Sequence, residues 1–141
     1  GVNKVLTIEA SGIGIATLTA QFFHCPLVFA KKTKTNNIYG DVYTSKVDSY
    51  THGTTYDIVV SKQFLLPTDR VLIIDDFLAK GSALNALISL VKDAGATVVG
   101  AGIVIEKAYQ PGGKLIRDMG VRVESLARIA SMSVEDGIRF C

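Results

Sequence analysis

The stretch Val71–Ala83, VLIIDDFLAKGSA, constrains this chain more than any other. Four consecutive apolar residues, Val71 to Ile74, read as a strand buried on both faces, which is the pattern of a parallel sheet covered by helices. Two carboxylates, Asp75 and Asp76, follow where that strand ends, and a loop of small residues comes next. Leu84, Leu87, Ile88 and Val91 then recur at i, i+3, i+4 and i+7, which predicts a helix from about Ala83 to Ala94 with Gly95 as its terminator. Such a segment places an acidic doublet and an amide-rich bend at the carboxyl end of a core strand, where open α/β sheets hold their ligands.

The remaining segments extend the alternation. Lys4–Ile8 predicts a strand, followed by a small-residue loop from Glu9 to Gly14 and a helix with Ile15, Leu18, Thr19 and Phe22 on one side. Leu27–Ala30 predicts a second buried strand, and Asp41–Tyr50 with Tyr56–Val60 an antiparallel hairpin with a mobile tip. Thr97–Ile105 predicts another core strand, Gly113–Met119 a short helix and Val121–Leu126 a last strand. The expected architecture is one α/β domain over residues 1–141: a Rossmann-like, mostly parallel sheet flanked by helices. The 141 residues, 48% of them hydrophobic, are enough for one such core. Fifteen basic and 13 acidic side chains leave a net charge of +2, too balanced to point to nucleic acid or a membrane surface. No apolar run reaches membrane-spanning length. Cys25 and Cys141 share no metal-ligand spacing, which gives no support to a zinc site and fits a reducing cytoplasm. The chain starts two or three residues before a strand and stops without a terminator, so it reads as a piece of a longer protein.

Residue chemistry narrows the ligand. Asp75 and Asp76 can accept hydrogen bonds from the two hydroxyls of a ribose and help hold a divalent cation. The backbone N–H groups of Ala79, Lys80, Gly81, Ser82 and Ala83, together with the dipole of the following helix, suit a phosphate. Gly12-x-Gly14 is a partial dinucleotide fingerprint, but Thr17 holds the third glycine position and Ala30 ends the next strand without an acid, so that reading is weak. Lys31-Lys32 taken alone reads as a solvated pair, and neither His24 nor His52 is assigned catalysis.

Val71–Ala83 resembles the ribose-pyrophosphate motif of the type I phosphoribosyltransferases, and the likeness extends over nearly the whole chain. The resemblance implies that Asp75 and Asp76 act on the ribose and that the loop from Ala79 to Ala83 takes its 5′-phosphate. Glu9–Ile13, EASGI, looks like the family's pyrophosphate loop, which assigns Ala10, Ser11 and Gly12 to the leaving group. Lys31 and Lys32 look like the basic dipeptide that faces pyrophosphate, often across a dimer interface, and Ser49-Tyr50 is similar to a pair in a loop that closes over the site. Val104–Gly112 and Gly120–Ile129 resemble the xanthine-using bacterial members, which implies that Lys107 reads the oxygen-rich edge of the purine. The implied substrates are 5-phosphoribosyl 1-pyrophosphate (PRPP) and xanthine, the products xanthosine monophosphate and pyrophosphate. The resemblance also implies Mg2+ carried in with PRPP rather than caged by protein, a homodimer and a cytoplasmic setting. Enzymes for guanine and hypoxanthine or for adenine, and non-catalytic PRPP sensors of the purine-repressor type, are the alternatives. The chain departs from the family pattern at Lys80, where relatives carry a small or amide residue, and in the N-terminal hood segment, which would precede Gly1.

Overall fold

The computed structural model describes residues 1–33, 40–49 and 54–141. In chain order the elements are β1 (Lys4–Ile8), α1 (Gly12–Phe22), β2 (Leu27–Thr33), β3 (Val42–Ser49), β4 (Thr54–Ser61), β5 (Arg70–Leu78), α2 (Ser82–Asp93), β6 (Thr97–Lys107), α3 (Gly112–Asp118), β7 (Val123–Ser133) and β8 (Gly137–Phe140). Among the described residues these strands form one sheet in the order β3-β4-β2-β1-β5-β6-β7-β8. The central run from β2 to β7 is parallel. The β3–β4 hairpin joins it antiparallel beside β2, and β8 closes the other side antiparallel to β7. The mostly parallel α/β architecture is the one the sequence predicts.

Side-chain alternation along β1 divides the core between two layers. Leu6 and Ile8 join Leu84, Leu87 and Ile88 of α2, whereas Val5 packs with Ala16 and Ala20 of α1. Each fully buried Leu or Ile of α2 contributes about 1.5–3 kcal/mol of burial energy, and this outweighs any intrinsic helix preference. Gly95, at φ 72, lets its N–H reach the Lys92 carbonyl while Ala96 N–H reaches Val91, so both carbonyls at the end of α2 are satisfied. His24 plays the same part after α1 at φ 51, with bonds from His24 N to Gln21 O and from Cys25 N to Ala20 O. This is a structural role for an exposed histidine. At the amino-terminal end of the sheet Lys4 is buried against Asp69, with Nζ 3.2 Å from Oδ2, and donates to the Phe64 carbonyl at 2.9 Å.

Several strands outrun their predicted ends because a neighbour continues to supply hydrogen bonds. β5 extends past Ile74 to Leu78, with Asp75 beside Ile103, Phe77 beside Ile105 and Leu78 beside Glu106 of β6. Asp75 and Asp76 therefore lie within a strand rather than beyond it. β2 likewise runs through Lys31 and Lys32, which pair with Val59 and Ile58 of β4. β7 extends to Ser133 and turns through Gly137, at φ 70, into β8, a strand that the sequence reading did not anticipate. Tyr50, His52 and the tip of the hairpin, 50–53, lie outside the described residues, as does the Ser49 side chain, so the expectation of a closing loop falls there too. No helix of the described residues is long and apolar enough to cross a membrane.

Candidate active site

A cavity of about 410 Å³ opens at the carboxyl ends of β5 and β6. One wall is the bend between β5 and α2, from Leu78 to Leu84, so all of Ala79, Lys80, Gly81, Ser82 and Ala83 face it as expected. Gly81 stands at φ 87, a conformation that costs other residues strain, and turns the chain directly into the first turn of α2. That turn carries no acidic residue, so the partial positive charge of the helix end and its unbonded N–H groups are left for an anion. The bend is braced from behind by α3: Gly112 N donates to Ala79 O at 3.0 Å, and a Cβ on Gly112 would come within 2.6 Å of Gly81 N.

Asp75 lines the same cavity and is only 5% exposed. Burial, reinforced by the charge of Asp76, pushes its carboxyl up to about 7, while Lys32 pulls the other way. Its Oδ1 accepts the Asp76 N–H at 3.0 Å. Strand alternation turns Asp76 away: it is half-buried, absent from the cavity wall, and its Oδ1 accepts Phe77 N at 3.0 Å. The acidic doublet thus splits into one carboxylate inside the cavity and one beside it.

The loop after β1 passes close to Asp75. A Cβ on Gly12 would strike the Thr7 hydroxyl and come within 3.4 Å of Asp75 Oδ1. Thr7 Oγ1 is fully buried there without a hydrogen-bond partner. Ala10 and Ser11 are exposed, the Glu9–Ala10 peptide is cis, and Ser11 makes no side-chain bond to α1. None of these loop residues touches the cavity wall itself. The Glu9 carboxylate accepts Lys32 N–H at 2.5 Å and so ties the loop to β2. Lys32 Nζ lies 5.3 Å from the centre of the Tyr56 ring, and Tyr56 lines the cavity beside Asp75. Burial and the Asp75 charge both raise the Tyr56 phenol. Lys31 is exposed and, as the next residue on the strand, points to the opposite side, so the basic pair does not act from one face.

The opposite wall carries Lys107, Gln110 and Phe77. Phe77 is 49% exposed, and Lys107 Nζ stands 5.9 Å from its ring centre. An exposed aromatic face with an ammonium beside it offers a flat heterocycle both a stacking surface and a donor for its oxygens. Phe77 and Tyr56 were missed as site residues. The signal for Phe77 was present, since it stands in period-two phase with Asp75. Tyr56 reaches the site only through the pairing of β4 with β2. Glu106, next in the chain to Lys107, was also missed and is one of the few buried charges. No group of three or more ligand-type side chains able to hold a metal ion occurs among the described residues.

Residues 2–129 match the family model described as the phosphoribosyl transferase domain. A xanthine phosphoribosyltransferase of Lachnoclostridium phytofermentans is 60% identical over 136 residues, which is 96% of this chain and 70% of that protein. One from Brevibacillus brevis is 53% identical over 139 residues, 99% of this chain and 70% of that protein. Among solved structures, an adenine phosphoribosyltransferase of Giardia lamblia bound to 9-deazaadenine superposes with a TM-score of 0.81 at 28% identity, over 90% of this chain and 70% of that one. The Rhodothermus marinus adenine phosphoribosyltransferase gives a TM-score of 0.79 at 28% identity, over 90% of this chain and 69% of that one.

Proposed function

The chain belongs to the phosphoribosyltransferase family, and from that premise we propose that it transfers the 5-phosphoribosyl group of PRPP to xanthine. The products are xanthosine monophosphate and pyrophosphate. The observation that carries this reading is one cavity in which an anion-ready helix end, a buried carboxylate and a lysine beside an exposed aromatic ring face one another.

Transfer breaks the bond between C1′ and a pyrophosphate oxygen, whose electron pair leaves with pyrophosphate, and joins C1′ to a ring nitrogen of the base, whose proton is released to water or to the departing pyrophosphate. The protein's work is positioning and charge compensation. The amides from Ala79 to Ala83 hold the 5′-phosphate at the start of α2. Asp75 accepts the ribose hydroxyls from inside the cavity, and Asp76, beside it, acts through its charge on the Asp75 carboxyl. The loop of Ala10, Ser11 and Gly12, with Lys32, compensates the pyrophosphate, while Lys31 lies on the other face of β2. Phe77 carries the plane of the purine, and Lys107 donates to its oxygens, of which xanthine has one at C2 in place of an exocyclic amine.

A cation fits this donor set. Asp75 puts one carboxylate into the cavity, raised to about 7 by burial and by the charge of Asp76, so a Mg2+ arriving on PRPP oxygens would meet that one carboxylate, with Asp76 standing beside the cavity. Bound there, it would neutralise part of the pyrophosphate charge. A homodimer and a cytoplasmic setting complete the reading, on the family likeness.

The test is pyrophosphate release with PRPP, Mg2+ and each of xanthine, guanine, hypoxanthine and adenine in turn. Xanthine should give the highest kcat/KM. Preference for another base would overturn the assignment of Lys107, and tight PRPP binding with no turnover on any base would make the chain a sensor instead.

A further inference from the structure

Glu106 ends in a buried carboxylate, 2% exposed, one residue before Lys107. Arg117 of α3 grips it with two parallel bonds, Nη1 to Oε1 at 2.7 Å and Nη2 to Oε2 at 2.8 Å. Ser125 Oγ of β7 donates to Oε2 at 2.6 Å, and Arg128 Nε lies 3.3 Å from that oxygen. The Arg117 bonds outweigh burial and hold the carboxyl down at about 2, so the group is ionised throughout the working range.

These contacts bind three elements around the turn between β6 and α3. Gly113 is shaped to them: a Cβ there would run into Glu106 Oε1 and come within 2.7 Å of Arg117 Nη1. Its neighbour Gly112 faces the phosphate bend, as described above. The turn that begins at Lys107 is therefore pinned twice, to the phosphate bend through the Gly112 backbone and to the sheet through the Glu106 carboxylate.

We infer that Glu106 is a specificity-determining positioning residue, which aims Lys107 at the base by locking the turn to β7 through Arg117 and Ser125. This rests on the reading of Lys107 as the contact to the purine. Glu106→Gln keeps the size of the side chain but gives up the charge that holds both guanidinium groups. The Gly112 anchor survives, so PRPP binding persists while base selection degrades. Simple electrostatics has the opposite sign. Losing a negative charge beside Arg117 and Arg128 makes the neighbourhood more positive, and an anionic base would then bind better.

The experiment measures kcat and KM for xanthine and hypoxanthine, and the Kd of PRPP with Mg2+, for the unaltered protein and for Glu106→Gln, Ser125→Ala, Arg117→Lys and Lys107→Met. Glu106→Gln should raise the xanthine KM about tenfold and reduce the preference over hypoxanthine, with the PRPP Kd unchanged within about twofold. Ser125→Ala should move the same quantities about threefold. A lower xanthine KM in Glu106→Gln, or parallel losses for xanthine and PRPP, overturns the inference. If Glu106→Gln does not fold, Ser125→Ala and Arg117→Lys decide by the same split. A preference untouched by Lys107→Met sinks the parent reading and this inference together. A preference lowered by Lys107→Met but by none of the other three variants sinks this inference alone.

Discussion

Replacing Asp75 with asparagine should make the ligand-free protein more stable and the enzyme much less active. An ordinary aspartate in the unfolded chain loses its proton near 3.8, whereas in the folded protein the Asp75 carboxyl holds it to about 7. Between those values the folded state carries a proton that the unfolded state has released, so stability falls as pH rises. Each pH unit in that window costs about 1.4 kcal/mol, and the whole window about 4 kcal/mol as an upper figure. The loss is absent below about pH 4 and complete above about pH 7. Asp75→Asn keeps an oxygen to accept the Asp76 N–H and has no proton to lose. It should therefore match the unaltered protein near pH 4 and exceed it at pH 8 by up to about 4 kcal/mol, roughly 10 °C in Tm for a domain of this size. Turnover should drop about a hundredfold, because the ribose hydroxyls lose a charged acceptor. Urea denaturation at pH 4, 6 and 8, beside an assay of nucleotide formation, measures both. If the variant shows the same decline with pH as the parent, Asp75 is not the buried proton site, and the account of the acidic pair is wrong.

Three further outcomes follow from the same geometry. Binding of PRPP with Mg2+ at pH 6.5 should expel roughly half to one proton from Asp75. Calorimetric enthalpy should then depend on the ionisation enthalpy of the buffer, and most of that dependence should vanish in Asp75→Asn. Lys4→Met strands Asp69 in a buried position and should cost about 3–5 kcal/mol in urea denaturation without changing the PRPP Kd of the folded protein. Gly113→Ala drives a methyl into the Glu106 carboxylate, so about 1–3 kcal/mol of stability should be lost. The xanthine KM of that variant should rise while PRPP affinity holds, and an unchanged xanthine KM would argue against the pinned turn.

What could be read from the sequence was what adjacent residues decide among themselves. The apolar run Val71–Ile74, the small residues up to Ala83, the spacing of α2 and the terminator Gly95 are all local signals, and each lies where it was expected. Strand length is not local. Asp75 and Asp76 part company because β6 keeps pairing as far as Leu78, and that depends on a segment some 30 residues away. The same holds for Lys31 and Lys32, which β4 draws into the sheet and so onto opposite faces. Glu106 gave no sign of its importance, because Arg117, Ser125 and Arg128 converge on it only once α3 and β7 have packed. An acid at the end of a strand looks the same whether it meets water or two guanidinium groups. β8 was missed for a milder reason. Asp136-Gly137 is a turn signal, but only Ile138, Arg139 and Phe140 follow with an apolar alternation, a run too short to mark a strand, and all of it is exposed.

The glycines at 81 and 112 meet main chain to main chain, with the position of a Cβ on Gly81 only 3.1 Å from Gly112 Cα. A seam of that kind contains nothing that titrates, oxidises or switches rotamer. The interval between the bend of 79–83 and the turn of 107–112 is therefore set there by peptide geometry rather than by side chains. A side chain at Gly112 would run into the Ala79 carbonyl and the Gly81 amide and so pry the bend and the turn apart.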